Sequence, residues 1–152
     1  MAYVTYVTLQ ESVDAVAAPW LQPAAEAGNV YAQFLYAAAR KSGSYGFEQD
    51  EAEAIEYQTR AADRGHALAQ HELGMHYWAT SHQGGAQSQK RCLELWQAAA
   101  EAGLAAAQVS METCHANGYM GLPKSDAEAR RWYERAARQG HAEAALVLRN
   151  FP

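Results

Sequence analysis

Glycine residues that end alanine-rich segments recur at nearly constant spacing along this chain of 152 residues. They stand at positions 28, 65, 103 and 140, so that the successive intervals are 37, 38 and 37 residues. Each glycine ends the pattern Ala-Ala-x-x-Gly, and the first three are followed by x-x-x-Ala-Gln. A fixed period in this range is typical of stacked helical repeats, whose single units cannot bury their apolar faces alone.

The glycine in each repeat marks the turn between two helices. Glycine adopts positive φ without a Cβ clash, so it ends one helix and allows the chain to reverse. We predict first helices over 29–41, 66–79 and 104–116, and second helices over 50–63, 88–101 and 125–138. A last helix is expected over 141–150. The small alanines before each glycine indicate a close approach between helices.

These elements predict a single all-α domain over residues 1–152. Its parts are an extended arm with alternating apolar and polar residues, a leading half repeat, three full helix pairs and a trailing half repeat. The corresponding ranges are 1–11, 12–28, then 29–65, 66–103 and 104–140, and finally 141–152.

The loops between paired helices follow one pattern in two of the three repeats. Gly43 and Gly118 begin these loops, and Asp50 and Ser125 are good N-caps at their ends. Phe47 and Leu122 precede the caps as apolar residues that cover the helix end. The middle repeat departs from the pattern, since residues 80–87 form a longer loop with Gly85 in place of the apolar residue. Ser88 is expected to cap the following helix.

Charge and composition exclude several classes of function. A net charge of −5 argues against a surface for nucleic acid or anionic membranes. No apolar run reaches the ~20 residues of a membrane span. Residues 1–11 lack the basic and apolar parts of a signal peptide, so we expect a cytoplasmic location, or a periplasmic one if such a peptide has been removed. Cys92 and Cys114 match no zinc or redox spacing and are expected to be buried thiols.

Two stretches carry a family resemblance. The first is Gly65-x-x-x-Ala69-Gln70-x-x-Leu73-Gly74-x-x-Tyr77, and the second spans residues 125–140 with Trp132 and the pair Ala136-Ala137. The first stretch resembles the first helix of the Sel-one-like repeat, a longer relative of the tetratricopeptide repeat, and the second stretch resembles its second helix. The resemblance covers about residues 17–149. It implies a right-handed superhelix of helix pairs, a role in binding other proteins and no catalysis. Tyr36 and Met111 depart from the family leucine found at Leu73.

The resemblance also indicates where a partner would bind. The concave face of such stacks is lined by first helices, at three, six, ten and thirteen residues after the turn glycine. This register is rich in aromatic and apolar side chains here, which suits the anchoring of a partner helix or loop. The alternative is that several of them pack against neighbouring repeats or the N-terminal arm. The predicted partner-binding residues are Tyr31, Phe34, Leu68, His71, Met75, Trp78, Val109 and Thr113.

A zinc-protease interpretation of His71-Glu72-Leu73-Gly74-Met75-His76 is disfavoured by its spacing. The two histidines are five residues apart, about 140° around a helix, whereas the protease motif places them four apart on one face. No nucleophile elbow and no phosphate loop occur. The sequence therefore predicts no catalytic, cofactor-binding or metal-binding residue.

The resulting functional hypothesis is a non-catalytic adaptor of bacterial origin that binds another protein in its concave groove. One alternative is an immunity or inhibitor protein that neutralises a secreted toxic enzyme. A metal-dependent hydrolase is a third hypothesis, which depends only on the His-Glu stretch. A monomer or a weak homo-oligomer formed through open solenoid ends is expected.

Overall fold

The computed structural model describes residues 19–149, apart from the side chains of residues 82–84 and 143. The extended arm predicted over residues 1–11 lies outside the described residues, as does the start of the leading half repeat predicted over 12–28. Residues 19–149 contain helices and turns and no β-strand. The helices are α1 (19–26), α2 (Val30–Ser42), α3 (Glu51–Asp63), α4 (Ala67–Glu101), α5 (Ala105–Asn117), a 3₁₀ turn (Tyr119–Gly121), α6 (Asp126–Arg138) and α7 (Ala142–Arg149).

The described residues divide into two compact units, the first ending at Ala69 and the second beginning at Gln70. In the first unit α2 packs against α3, and in the second unit α6 packs against both α5 and α7. The turn glycines behave as predicted. All four have positive φ, from 84° at Gly140 to 95° at Gly103. The pairing of helices across short turns therefore follows the glycine period.

The alanines before each turn form the contacts between helices. Ala25, Ala61, Ala99 and Ala136 are completely buried. Larger side chains fill the position eight residues after the first three turn glycines, where Tyr36, Leu73 and Met111 are 2%, 0% and 3% exposed. The three residues differ in type but occupy one equivalent place in the core. The departures from the family leucine are thus changes of core side chain and not of fold.

In α2 and α5, the glutamine of the Ala-Gln pattern donates a hydrogen bond to the helix before it. Gln33 Nε2 donates to the carbonyl oxygen of Ala25 at 3.2 Å, and Gln108 Nε2 donates to that of Ala100 at 3.1 Å. Both glutamines are buried, with exposures of 5% and 2%. Carbonyls in the last turn of a helix have no partner within the helix. A buried amide that satisfies such a group explains why the pattern keeps glutamine at an otherwise apolar contact.

The loops of the first and third repeats form as predicted. Gly43 and Gly118 adopt the left-handed conformation that ends α2 and α5. Asp50 accepts a hydrogen bond from the Glu53 amide at 3.0 Å, and Ser125 accepts one from the Glu128 amide at 3.3 Å. Both N-caps are thus confirmed.

The loop predicted over residues 80–87 is wrong. α4 consists of two helical segments that meet at a kink at Gly85, the residue of this segment with a non-helical conformation, φ 60° and ψ −151°. The two helices predicted here are therefore present, and the eight-residue loop between them is not. The reason lies at Thr80, which occupies the position of Gly43 and Gly118. A β-branched residue is unfavourable at positive φ, so the helix does not end there. Instead the Thr80 hydroxyl donates to the His76 carbonyl oxygen within the helix at 3.0 Å. Ser88 consequently lies inside α4 and is not an N-cap.

Candidate partner-binding site

The eight residues predicted to bind a partner fall into both compact units. Tyr31, Phe34 and Leu68 belong to the first unit. The second unit holds the other five, which are His71, Met75, Trp78, Val109 and Thr113. The two sets are therefore described separately.

In the first unit, His66 forms the centre of a small aromatic cluster. Phe34 stacks on the His66 ring with a centroid distance of 4.6 Å, and Tyr31 meets it edge-on at 5.2 Å. His66 Nδ1 accepts a hydrogen bond from the Ala69 amide at 3.2 Å, so that His66 caps the start of α4. Tyr31 and Leu68 remain 73% and 40% exposed. Phe34 is thus partly used in packing, while Tyr31 and Leu68 are open to a partner.

In the second unit, three of the predicted residues line one cleft of about 210 Å³. Trp78 stacks on Trp96 with a centroid distance of 5.6 Å, and Tyr119 contacts the Trp78 ring at 5.4 Å. We refer to this space as the Trp78 cleft. It is lined by Trp78, Trp96, Val109, Ser110, Thr113 and Cys114.

Trp96 supports the cleft and was not among the predicted residues. Its ring is 4% exposed, and its Nε1 donates to the His71 carbonyl oxygen at 3.1 Å. Gly74 allows this position, since a Cβ at Gly74 would lie 2.4 Å from Trp96 Cδ1 and Nε1. A glycine inside a helix costs stability relative to alanine, so its presence signals a close approach. Gly74 is the signal in the sequence that could have indicated a large ring at this place.

His71 borders this aromatic group without lining the cleft itself. Its ring lies 6.1 Å from the Trp96 ring, and its Nε2 is 3.1 Å from the Ser110 hydroxyl. Desolvation in this half-buried environment lowers the pKa of His71 below its usual value of 6.5. The neutral imidazole is therefore the favoured form in the folded protein. Met75 lies elsewhere on α4, with 46% of its surface exposed.

The lowered pKa of His71 predicts a loss of stability at mildly acidic pH. The unfolded chain binds a proton at His71 near pH 6.5. The folded chain binds it only at lower pH, so stability falls as the pH decreases below about 6.5 and is fully present above it. We expect His71→Gln to reduce this slope, measured as the midpoint of urea unfolding at several pH values between about 5 and 7.5. The other histidines are common to both proteins, and equal slopes would contradict the prediction.

Both cysteines lie in an environment that disfavours the thiolate form. Cys92 and Cys114 are free thiols that are 0% and 1% exposed. Burial raises the pKa of Cys92 to about 12 and that of Cys114 to about 11. Thiolate is the reactive form of cysteine, and these values suppress it. The prediction of buried thiols is confirmed.

The hydrolase hypothesis gains no support from the described part of the chain. Within it, no three side chains of His, Cys, Asp or Glu are grouped so that they could hold a metal ion. The His76 ring packs against Tyr77 at a centroid distance of 5.9 Å. None of the described helices is both long enough and apolar enough to cross a membrane.

The helix pairs recur at constant spacing and are joined by glycine turns, which defines a helical-repeat protein. Comparison with known families agrees with this class. The Sel1 repeat model matches residues 15–29, 30–66, 67–104 and 104–141. The chain belongs to the Sel1 repeat family, whose members generally act as scaffolds for protein interactions and whose fold is typically non-catalytic.

Two solved structures of related proteins have the same fold as this chain. A Sel1 repeat protein from Oxalobacter formigenes is 32% identical, with a TM-score of 0.75, and the match covers 86% of this chain and 95% of that one. A protective antigen of uropathogenic Escherichia coli strains with an SLR fold is 28% identical, with a TM-score of 0.72. That match covers 90% of this chain and 28% of the antigen. No curated protein matches the chain. The predicted class, an all-α solenoid of Sel-one-like helix pairs, is confirmed.

Proposed function

We propose that this protein acts as a non-catalytic adaptor that binds a partner protein by enclosing one of its apolar side chains in the Trp78 cleft. The observation that carries the proposal is the stacking of half-buried Trp78 on buried Trp96 beside an open space. Aromatic side chains held rigidly beside a pocket are the usual centres of binding energy in protein interfaces.

The size and polarity of the cleft favour an aliphatic or aromatic anchor. A cavity of ~150 Å³ is large enough to hold benzene, so a cleft of about 210 Å³ accommodates a side chain of the size of leucine or phenylalanine. The hydroxyls of Ser110 and Thr113 already donate to carbonyl oxygens within α5, at 3.1 Å and 3.0 Å. No charged side chain lines the cleft. An acidic or basic anchor would therefore lose its hydration without gaining a partner charge.

The exposed residues outside the cleft supply secondary contacts in this proposal. Met75 in the second unit, and Tyr31 and Leu68 in the first, present apolar surface to solvent. Each of these residues is a separate contact to the partner within its own unit in this proposal. Phe34 and His71 support their neighbours through the ring contacts described above.

A peptide selection tests the proposal through the chemistry of the anchor. Random peptides of ~15 residues, about four helical turns, are displayed and selected on the immobilised full chain. We expect the selected peptides to share an apolar or aromatic anchor. We also expect Trp78→Ala to weaken their binding at least about tenfold, measured by fluorescence anisotropy, because it removes the ring that forms one wall.

Trp20→Ala is the matched control for this experiment. It makes the same change at a tryptophan that is 77% exposed and does not line the Trp78 cleft. We expect it to leave unchanged the affinity of those peptides whose binding is weakened by Trp78→Ala. Peptides that bind Trp78→Ala as tightly as the parent would show that the cleft is not the binding site.

A further inference from the structure

A second apolar cleft, in the first unit, exposes more large side chains than the Trp78 cleft. Trp20 is 77% exposed, Tyr31 73%, Leu35 53% and Tyr45 38%. We refer to this space, of about 460 Å³, as the Trp20 cleft. It is lined by Trp20, Leu21, Ala24, Asn29, Tyr31, Ala32, Leu35 and Tyr45. None of these side chains carries a charge.

The repeat shows that Trp20 occupies a position that is otherwise buried. Trp20 stands eight residues before Gly28, and the residues eight before the other turn glycines are Tyr57, Leu95 and Trp132. These three are 7%, 4% and 8% exposed. The exposure of Trp20 is thus the exception among equivalent positions.

The first unit also shows which element normally covers this position. Tyr57 is covered by Tyr36 of α2, with the rings 4.7 Å apart. His66, the equivalent of Asn29 in the Trp20 cleft, is covered by Phe34 of α2. A first helix of a repeat therefore covers such a surface with the side chains six and eight residues after its turn glycine. The Trp20 cleft fits a helix of the same kind.

Helix α7 has the required sequence and exposure. It follows Gly140 as a first helix, and the residues six and eight after this glycine are Leu146 and Leu148. They correspond to Phe34 and Tyr36 of α2. Leu146 is 60% exposed and Leu148 is partly exposed. In the described residues, α1 is the second helix of a repeat and has no first helix packed over it. Helix α7 is the first helix of a repeat, and its apolar side chains are exposed to solvent.

We propose that α7 of a second copy of this chain binds in the Trp20 cleft and completes the leading half repeat. Leu148 of that copy covers Trp20, as Tyr36 covers Tyr57 within one chain. Leu146 of that copy covers the part of the cleft around Asn29, as Phe34 covers His66. The two surfaces in contact differ, so each copy offers one cleft and one helix, and the association is heterologous. Association can therefore extend beyond two copies.

Complementary variants of the full chain test this head-to-tail contact. The parent is expected to show an average mass that rises above 16.6 kDa in sedimentation equilibrium between about 10 μM and about 1 mM, the range suited to small interfaces. Trp20→Asp disables the cleft and Leu146→Asp disables the helix, so each variant alone is expected to stay at the monomer mass. A mixture of both restores one intact cleft and one intact helix, and should form a complex of two chains that grows no further.

Met75→Asp serves as the control for a charge placed on an exposed apolar residue. It lies outside both contact surfaces and is expected to associate like the parent. Circular dichroism checks that all variants keep the same helix content. A parent that stays at the monomer mass overturns the proposal, and that result is expected if residues 1–18 or an unrelated protein fill the cleft. Assembly of Trp20→Asp alone, or no complex in the mixture, overturns it as well.

Discussion

Replacing Tyr36 by Ala is expected to destabilise the protein by about 3–5 kcal/mol, the usual cost of removing a buried aromatic ring. Tyr36 is 2% exposed. Its ring meets Phe47 edge-on at 5.0 Å and Tyr57 edge-on at 4.7 Å, so that the contact between α2 and α3 is centred on it. Truncation to Ala leaves a cavity where the Tyr36 ring now packs against Phe47 and Tyr57. The free energy of unfolding in urea measures the effect.

Two further variants distinguish the contribution of the buried Tyr36 ring from that of its hydroxyl and from the effect of removing an exposed tyrosine. The Tyr36 hydroxyl donates to Glu53 Oε1 at 3.1 Å. Burial and this hydrogen bond raise the pKa of Tyr36 to about 12. Tyr36→Phe removes only this bond and is expected to cost about 1.5 kcal/mol. Tyr31→Ala makes the larger change at a tyrosine of the same helix that is 73% exposed, and should stay within about 0.5 kcal/mol of the parent. Equal losses for the two alanine variants would contradict the assignment of Tyr36 to the core.

Gly74→Ala is expected to destabilise the second unit, although alanine is the better helix former. The new Cβ would lie 2.4 Å from two atoms of the Trp96 ring, which must then move. Overpacking costs about 1–3 kcal/mol, and loss of the indole hydrogen bond to the His71 carbonyl adds about 1–3 kcal/mol. The gain in helix propensity offsets about 1 kcal/mol of this. We expect a net loss of about 3 kcal/mol, and a melting temperature lower by about 2–4 °C for each kcal/mol.

A double-mutant cycle with Trp96→Leu tests the cause of this loss. The three atoms nearest to the added Cβ all belong to Trp96. With the indole replaced by a smaller side chain, Gly74→Ala should change sign and stabilise the protein by about 1 kcal/mol, the gain in helix propensity alone. If Gly74→Ala costs as much in the Trp96→Leu background as in the parent, the close approach is not the reason for the glycine.

Most of the helices could be predicted because their ends depend on local backbone chemistry. A glycine at positive φ ends a helix, and an Asp or Ser that accepts a backbone hydrogen bond begins one, through contacts with residues close by in the sequence. The roles of Gly43, Asp50 and Ser125 could therefore be predicted from the sequence. The error over residues 80–87 has its origin in the same chemistry. The helix breaks at Gly85 and not at Thr80, because a β-branched residue is unfavourable at the positive φ with which Gly43 and Gly118 end their helices.

The candidate site was predicted in part. The helical register placed Trp78, Val109 and Thr113 on the predicted concave face of first helices, thirteen, six and ten residues after their turn glycines, and the structure brings these three together in one cleft. It did not identify Trp96, which belongs to a second helix and lies outside that register. Whether a tryptophan on a second helix faces a neighbouring first helix depends on the helix crossing and on the space left by Gly74. Neither is encoded in the spacing of the tryptophan itself.

The sequence by itself determined the number of repeats, the turn positions and the class of fold, because a glycine that reverses the chain acts on its immediate neighbours whatever lies further away. The tertiary structure alone decided which equivalent residues are buried. Trp20 and Trp132 occupy the same position in the repeat, yet they are 77% and 8% exposed. Burial depends on whether another helix lies over the residue, and for the first member of a series that helix is not part of the repeating pattern.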